Sequence, residues 1–569
     1  MGVLSIIVVE GTSLTDGEPR VRNFVFFIIP EERSGSIDRR STNVVFPALG
    51  RILLLWHNQP MSLEKIALID IGSNSMRLEM VAVRGDDFWT VARYKSSARI
   101  AAGMYPSLEI LPEAIERAER GLKDFAGRIA FHRADVVRCV ATSAIRDAKN
   151  REMVLGRLTS SLGSSIEVLE GEREGWYSFQ GVKNGFDLRD GLIFDIGGGS
   201  AELIDVEDDL PRRILTLPLG AVRLSESFFS NRARPTAAEW KRLERYIAES
   251  LENSGMFNRP YPTLTGVGGT ARGLARISQK IRKFPFFPDI HHYEVLSREI
   301  PYLVKKVGKH LSSEQARVLG VTPDRADILP AGIAVIAAIV RLSRSPSLTF
   351  SHYGLRQGLF MEYFRQNRDS ANEPIFAETL HRLSRRYGRP RDIRPLRDTF
   401  ETIVSALLSP AVGPQRIHIL GHSIGTLDHL PILYSSAPNQ RALWDFLLHG
   451  EIPGVSQKDR LLIGLSLSQA EDRSRTKKKP HPYLRHLSKS DQKLLSILTS
   501  ALLLARKAVM AHGGDAPTLS IRPSLIRILP PGTDESLPEL KLKKTESLDM
   551  STGTPVSVQW FSMDMDFPE

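Results

Sequence analysis

Two stretches of this chain end an apolar run in an aspartate and a glycine turn, a combination that can grip phosphate. Ile66 to Val81 reads IALIDIGSNSMRLEMV, and Leu192 to Val206 reads LIFDIGGGSAELIDV. Laying Asp70 on Asp195 also places Ile71 on Ile196, Gly72 on Gly197, Ser75 on Ser200, Leu78 on Leu203 and Val81 on Val206. Each copy reads as a β-hairpin whose turn exposes backbone N–H groups. Glycine lets the backbone come close and adopt positive φ, so successive N–H groups can form a nest for phosphate oxygens. Gly72, Gly197, Gly198 and Gly199 give that freedom, and Ser73, Asn74 and Ser200 add side-chain donors. Asp70 and Asp195, at the strand ends, are placed to hold Mg²⁺ directly or through water, because Mg²⁺ takes oxygen ligands. Glu202 is a further carboxylate for the same ion. One Asp-Gly hairpin would say little; two matching copies predict a cleft between related halves.

A third glycine turn, in TLTGVGGTARGLARI from Thr263 to Ile277, follows a short strand and opens a helix. Gly268, Gly269 and Thr270 then stand at a helix N-terminus, where N–H groups and the dipole favour an anion.

These turns need a scaffold. From Ile66 to about Phe364 predicted strands and helices alternate, the pattern of an α/β architecture. From about Ile375 to His512 helical periodicity takes over, as in Leu494, Leu495, Leu498, Leu502 and Leu503. The reading divides the chain into a poorly defined extension (1–60), lobe I (61–190), lobe II (191–368), a helical domain (369–515) and a C-terminal tail (516–569), polar and loose from about Leu537. A basic connector near Lys477–Lys479 reads as a solvated linker.

The 569 residues suffice for several packed cores, and 42% hydrophobic with 25% charged residues is ordinary for a globular protein. The net charge of +11 draws polyanions without choosing among them. With 7% aromatic residues and no interleaving of basic and aromatic side chains, a nucleic-acid stacking platform is not expected. No stretch reads as a membrane span of about 20 apolar residues. The one cysteine, Cys139, rules out an internal disulfide and suits a reducing, cytoplasmic setting. His291, His292 and Glu294 read as loop surface, not as a metal site.

Two α/β halves, each opening on an acid-glycine hairpin, resemble the actin-like (ribonuclease H-like) phosphotransferase superfamily. DIGSNSMRL, ATSAIRDAKN, IEVLEGEREG, FDIGGGSAEL, LPLGAVRL, GVGGTARGL and HYGLRQGL, in this order between about residues 63 and 365, narrow the likeness. Together they resemble the exopolyphosphatase/guanosine-pentaphosphate phosphohydrolase family. The resemblance implies a duplicated two-lobe fold with an added helical domain, and release of terminal orthophosphate from inorganic polyphosphate or guanosine pentaphosphate with Mg²⁺ as cofactor. It implies that Glu174 deprotonates the attacking water and that Arg146 and Asn150 contact the phosphates. Read without the family, Glu172, Arg173 and Glu174 are simply a helix start favoured by the dipole. Longer family members carry a helical HD-like domain; this chain has no His-Asp dipeptide, so the domain is expected to lack a metal centre and to grip substrate or form a homodimer. The alternatives are an actin-like kinase or ATPase, and a protein that binds alarmone or polyphosphate without cutting it.

Overall fold

The computed structural model describes residues 4–11, 23–30, 63–366 (except 86, 106, 187, 232–234, 287 and 309–310) and most of 393–563, where 409–411, 429–439, 450–451, 453, 472–480, 523–524, 534–539 and 549–555 are left out. The lysines at 477–479 therefore lie outside the described residues.

Residues 1–62 form a unit by themselves, in which β1 (Leu4–Gly11) and β2 (Asn23–Pro30) pair antiparallel. The second unit runs from Leu63 to Glu569. Its first sheet contains β3 (Glu64–Ile71), β4 (Met76–Arg84), β5 (Asp87–Ser96), β6 (Val136–Ala141) and β7 (Glu167–Val168), in the order β5-β4-β3-β6-β7. The next contains β8 (Gly191–Ile196), β9 (Ala201–Glu207), β10 (Leu210–Leu217), β11 (Leu264–Val267), β12 (Tyr293–Leu296) and β13 (Ser347–Phe350), in the order β10-β9-β8-β11-β13-β12. The first five positions of the two orders correspond strand for strand, and only β12 is added. In both, a β-meander carries the aspartate hairpin and parallel strands extend the other side. The duplication read from sixteen residues is therefore a duplication of the whole lobe.

Both faces of these sheets are covered, which is why β3 and β8 are apolar along their length. Ala67, Ile69 and Ile71 meet Ala118, Leu122 and Phe125 of helix Pro112–His132 on one face of lobe I. Ile66 and Leu68 point the other way, onto Leu359, Phe360 and Phe364 of helix Leu355–Gln366. Helix Gly171–Lys183 serves both lobes: Tyr177 packs in the lobe I cluster, whereas Phe179 and Val182 pack on Ile193, Ile204 and Val206 of lobe II. Cys139 is buried in β6, and burial pushes its thiol far above the usual range.

The C-terminal region has one core, built from helices Arg394–Leu408, Pro414–Leu427, Gln440–His449, Gln457–Glu471 and Lys489–Ala511. By length and composition Lys489–Ala511 is apolar enough to cross a membrane. Here Leu494, Leu498, Leu502 and Ala505 fill the helical core. The expected loose tail is corrected: β14 (Thr518–Arg522), β15 (Leu525–Leu529), β16 (Leu540–Leu548) and β17 (Val556–Met563) make a sheet in the order β14-β15-β17-β16. Ile526, Ile528, Val558 and Trp560 supply its inward face and join the helical core, so burial of alternate residues holds strands whose outward positions are polar. His291 and His292 are corrected too. They are held in an aromatic cluster, His292 stacked on Phe186 at 3.9 Å and His291 against Tyr353 at 4.6 Å.

Candidate active site

The antiparallel register of β3 with β4 sets Asp70 opposite Arg77; that of β8 with β9 sets Asp195 opposite Glu202. Both turns close tightly, Gly72 N donating to Ser75 O (3.3 Å) and Gly197 N to Ser200 O (3.0 Å). The turns abut. A Cβ on Gly198 would lie 2.6 Å from Ser73 Cβ, so glycine is what lets the two lobes meet there. Ser73 Oγ in turn lies 3.0 Å from Ser143 Oγ, at the start of the short helix Ser143–Arg146. The third turn reaches the same place: Gly268 takes φ +86°, and a side chain on it would collide with Asp195 Oδ1.

All three turns line one cleft, together with Glu174, Asp70, Asp195 and four arginines, Arg77, Arg272, Arg325 and Arg356. Burial, Arg77, Arg356 and Arg325 push the Arg272 guanidinium well below its usual range. Burial and Arg356 bring Arg77 down to about 9. Guanidinium groups that depress one another lack enough counter-charge, and a polyanion would supply it.

Arg356 is held from behind by Glu79, which is 3% exposed. Glu79 accepts from Thr90 Oγ1 (3.0 Å), Arg93 Nε (3.0 Å), Gln357 Nε2 (3.0 Å) and Arg356 Nε (3.3 Å). Burial alone would raise this carboxyl, but Arg356 and Arg93 outweigh it and hold it at about 2. Arg356 Nη1 then stands 3.5 Å from Asp70 Oδ2 at the cleft.

Glu174 opens the first turn of helix Gly171–Lys183, where the dipole favours an acid. It is 9% exposed, and Arg146 Nη1 donates to its Oε2 at 2.9 Å and to Leu169 O at 2.8 Å. Burial raises the carboxyl to about 7, Asp195 and Asp70 adding to the rise and Arg146 opposing it. A carboxylate with its orientation fixed and its pKa near neutrality fits a general base.

Asp195 Oδ2 accepts from Ser178 Oγ (2.8 Å), and burial raises its carboxyl. Burial, Glu174 and Asp195 raise Glu202 well above its usual range, and its Oε1 has no hydrogen-bond partner. Among the described residues no three His, Cys, Asp or Glu side chains form a ready-made metal cage. Mg²⁺ usually keeps several waters and binds through one or two carboxylates plus substrate phosphates. Asp70 and Asp195 line the cleft and fit that partial ligand set, while Glu202, 1% exposed with an orphaned oxygen, stands opposite Asp195 on β9 and is not itself among the lining residues.

Several expected contacts fall elsewhere. Asn150 reaches the loop at Ile110, accepting from its N (3.1 Å) and donating to its O (2.9 Å), because it ties that loop to helix Arg151–Leu162. Thr270 is buried and donates to Ile196 O, joining the start of helix Gly268–Arg282 to the end of β8 inside lobe II. Arg146 holds the Glu174 carboxylate instead. Gly199 packs beside Ser143 and Tyr105, and buried Ser200 closes its own turn. Gly72, Ser73, Asn74, Gly197, Gly198, Gly268 and Gly269 do line the cleft, and neither end of the Asn74 amide has a partner. The four arginines were not singled out from sequence. Arg77, Arg272 and Arg356 stand inside the quoted motifs, each a few residues past a glycine, and that recurrence was the available signal. Arg325 ends a short 3₁₀ turn, Pro323–Arg325, outside any motif.

A protein of Aliivibrio fischeri (strain MJ11) named guanosine-5'-triphosphate,3'-diphosphate pyrophosphatase is 30% identical over 301 residues, 52% of this chain and 58% of that relative. The alignment thus spans under two thirds of that relative's length. A protein of the same name from Vibrio parahaemolyticus serotype O3:K6 (strain RIMD 2210633) is 27% identical over 480 residues, 80% of this chain and 91% of the relative. The crystal structure of an exopolyphosphatase from Cytophaga hutchinsonii ATCC 33406, 24% identical, covers 53% of this chain and 98% of its own with a TM-score of 0.50, a likeness of fold. Residues 80–366 match the model of the Ppx/GppA phosphatase family, which takes in half of the chain, and the chain belongs to that family.

Proposed function

We propose that the chain is a phosphohydrolase that removes the terminal phosphate of a polyphosphorylated substrate by attack of a water molecule on phosphorus. The observation that carries this reading is a single cleft in which a near-neutral carboxylate, Glu174, faces a cluster of mutually opposed arginines. Phosphoryl transfer asks for charge neutralisation, alignment and an oriented nucleophile. Arg77, Arg272, Arg325 and Arg356 neutralise and align the phosphates, aided by the N–H groups of the three glycine turns. Glu174 accepts the proton of water as the new O–P bond forms and the anhydride P–O bond breaks. The leaving phosphate keeps the electron pair, and the arginines hold its charge. Asp70, Asp195 and Glu202 would hold Mg²⁺, which when bound supplies further neutralisation of phosphate charge.

Among the described residues lining the cleft there is no Phe, Tyr or Trp on which a base could stack. Specificity then rests on phosphate, which favours inorganic polyphosphate. Guanosine pentaphosphate, the compound in the relatives' name, is the second candidate. The test is orthophosphate release from long-chain polyphosphate, short-chain polyphosphate and guanosine pentaphosphate, assayed side by side in Mg²⁺ without ATP. Release from at least one is expected, reduced about 10²- to 10⁴-fold in Glu174→Gln. No release from any substrate, or full activity in Glu174→Gln, would overturn the proposal.

A further inference from the structure

The loop Asp289–His292 touches three parts of the molecule at once. From the helical domain, Gln457 Nε2 donates to Asp289 O (2.9 Å), and Arg460 Nη1 lies 3.5 Å from Asp289 Oδ2. Arg460 is 1% exposed; it also donates to the carbonyls of Ile452 (3.1 Å) and Val455 (3.3 Å), so its position is fixed by its own domain. Within the loop, Asp289 Oδ1 accepts from His291 N (3.0 Å). Toward the cleft, His291 Nδ1 accepts from His352 N (3.3 Å). Toward the helix that carries Glu174, His292 Nε2 meets Gly185 O at 2.7 Å, and the same carbonyl accepts from Gly454 N of the helical region (3.2 Å).

His352 heads the turn that delivers Gly354, Arg356 and Gln357 into the cleft. Inside that turn Ser351 Oγ donates to Tyr353 O (2.7 Å) and accepts from Tyr353 N (3.0 Å), which fixes its shape but not its place. Its place comes from β13 on one side and from His291 on the other. His291 is 4% exposed, and burial with His292 alongside pushes its imidazole well down, so it is neutral and Nδ1 stays an acceptor.

We propose that the helical domain positions the phosphate-gripping turn of lobe II, acting through Asp289 and His291 as positioning residues, with Arg460 as the anchor. This rests on the phosphate reading of the cleft and goes beyond it by giving the helical domain a role in the lobe chemistry.

The test uses the full chain and two variants with opposite structural expectations. His291→Phe keeps an aromatic ring in the cluster and removes the acceptor. His291→Asn leaves a packing defect but restores a carbonyl acceptor close to where Nδ1 stood. A merely structural role makes Phe the better-tolerated substitution. A positioning role predicts a loss of about tenfold in tripolyphosphate affinity for Phe, the equivalent of a hydrogen bond worth ~1.4 kcal/mol, with Asn within about threefold of the parent. Calorimetry without Mg²⁺ reads that affinity. Hydrogen exchange at residues 350–357 reads the turn itself, independently of any catalysis, and should quicken in His291→Phe and in Arg460→Met but not in His291→Asn. Phe equal to or better than Asn in both measurements, or unchanged exchange at 350–357 in Arg460→Met, overturns the proposal. A parent chain that binds tripolyphosphate yet releases no phosphate sinks the hydrolase reading and leaves this one standing on the exchange data.

Discussion

The two aspartate hairpins share a backbone and differ in charge. In lobe I Asp70 faces Arg77 across the ladder; in lobe II Asp195 faces Glu202 at the corresponding register. Like charges directly opposite in a sheet are unfavourable, and opposite charges favourable. The first hairpin therefore contributes a cation that Asp70 supports, although burial and Arg356 outweigh that support. The second holds an acid, Glu202, that burial, Glu174 and Asp195 raise, with one carboxylate oxygen unpartnered. On the reading proposed above, both copies keep the turn that would grip phosphate, the lobe I copy serving as an anion clamp and the lobe II copy as a cation seat.

The largest effect should come from erasing that difference on the lobe I side. Arg77→Ala removes a half-buried guanidinium, whose charged hydrogen bonds are worth about 1.5–3 kcal/mol, and should raise KM for polyphosphate roughly 10- to 150-fold. An unchanged KM in steady-state assays would mean that the two hairpins do not divide the work as stated. Next is the pH profile. Glu174 must be ionised to accept a proton, and burial sets its carboxyl at about 7. Below that point kcat/KM should fall about tenfold per pH unit, levelling off above it. A profile already flat at pH 5 would reassign the base.

The smallest effect tests the acidic hairpin. An acid whose folded pKa is raised loses folding stability as pH climbs above its ordinary value of 4.5, since ionising it inside the protein is costly. Glu202→Gln should thus melt higher than the parent at pH 8 in chelator, by about 2–4 °C for each kcal/mol of relief. The same variant should lose the stabilisation that Mg²⁺ gives the parent. A lower melting temperature would show that Glu202 is already satisfied.

Much of this was legible in the residues. The aspartate-glycine repeat predicted both hairpins and the meeting of their turns, because close approach leaves its mark as glycine at Gly198. Glu174 was legible through resemblance alone: an acid in a helix's first turn looks the same whether it caps or catalyses. Asn150 and Thr270 show the opposite error. They stand in motifs near the site, yet their side chains serve the scaffold, and spacing along the chain does not say which way a side chain turns. Arg325 was hidden because its place in the cleft depends on how a 3₁₀ turn packs on another lobe. The C-terminal sheet was missed where LKLKKTESL, with apolar residues at Leu540, Leu542 and Leu548 only, gives too weak an alternation for a strand; pairing with β17 over eight positions holds it.

The sealed thiol in β6 has an experimental use. With Cys139 buried and hard to ionise, reactive dyes and spin labels should pass it by. Paired cysteines at exposed points such as Lys123 in lobe I and Glu249 in lobe II would then report the separation of the lobes in solution without first removing a native residue.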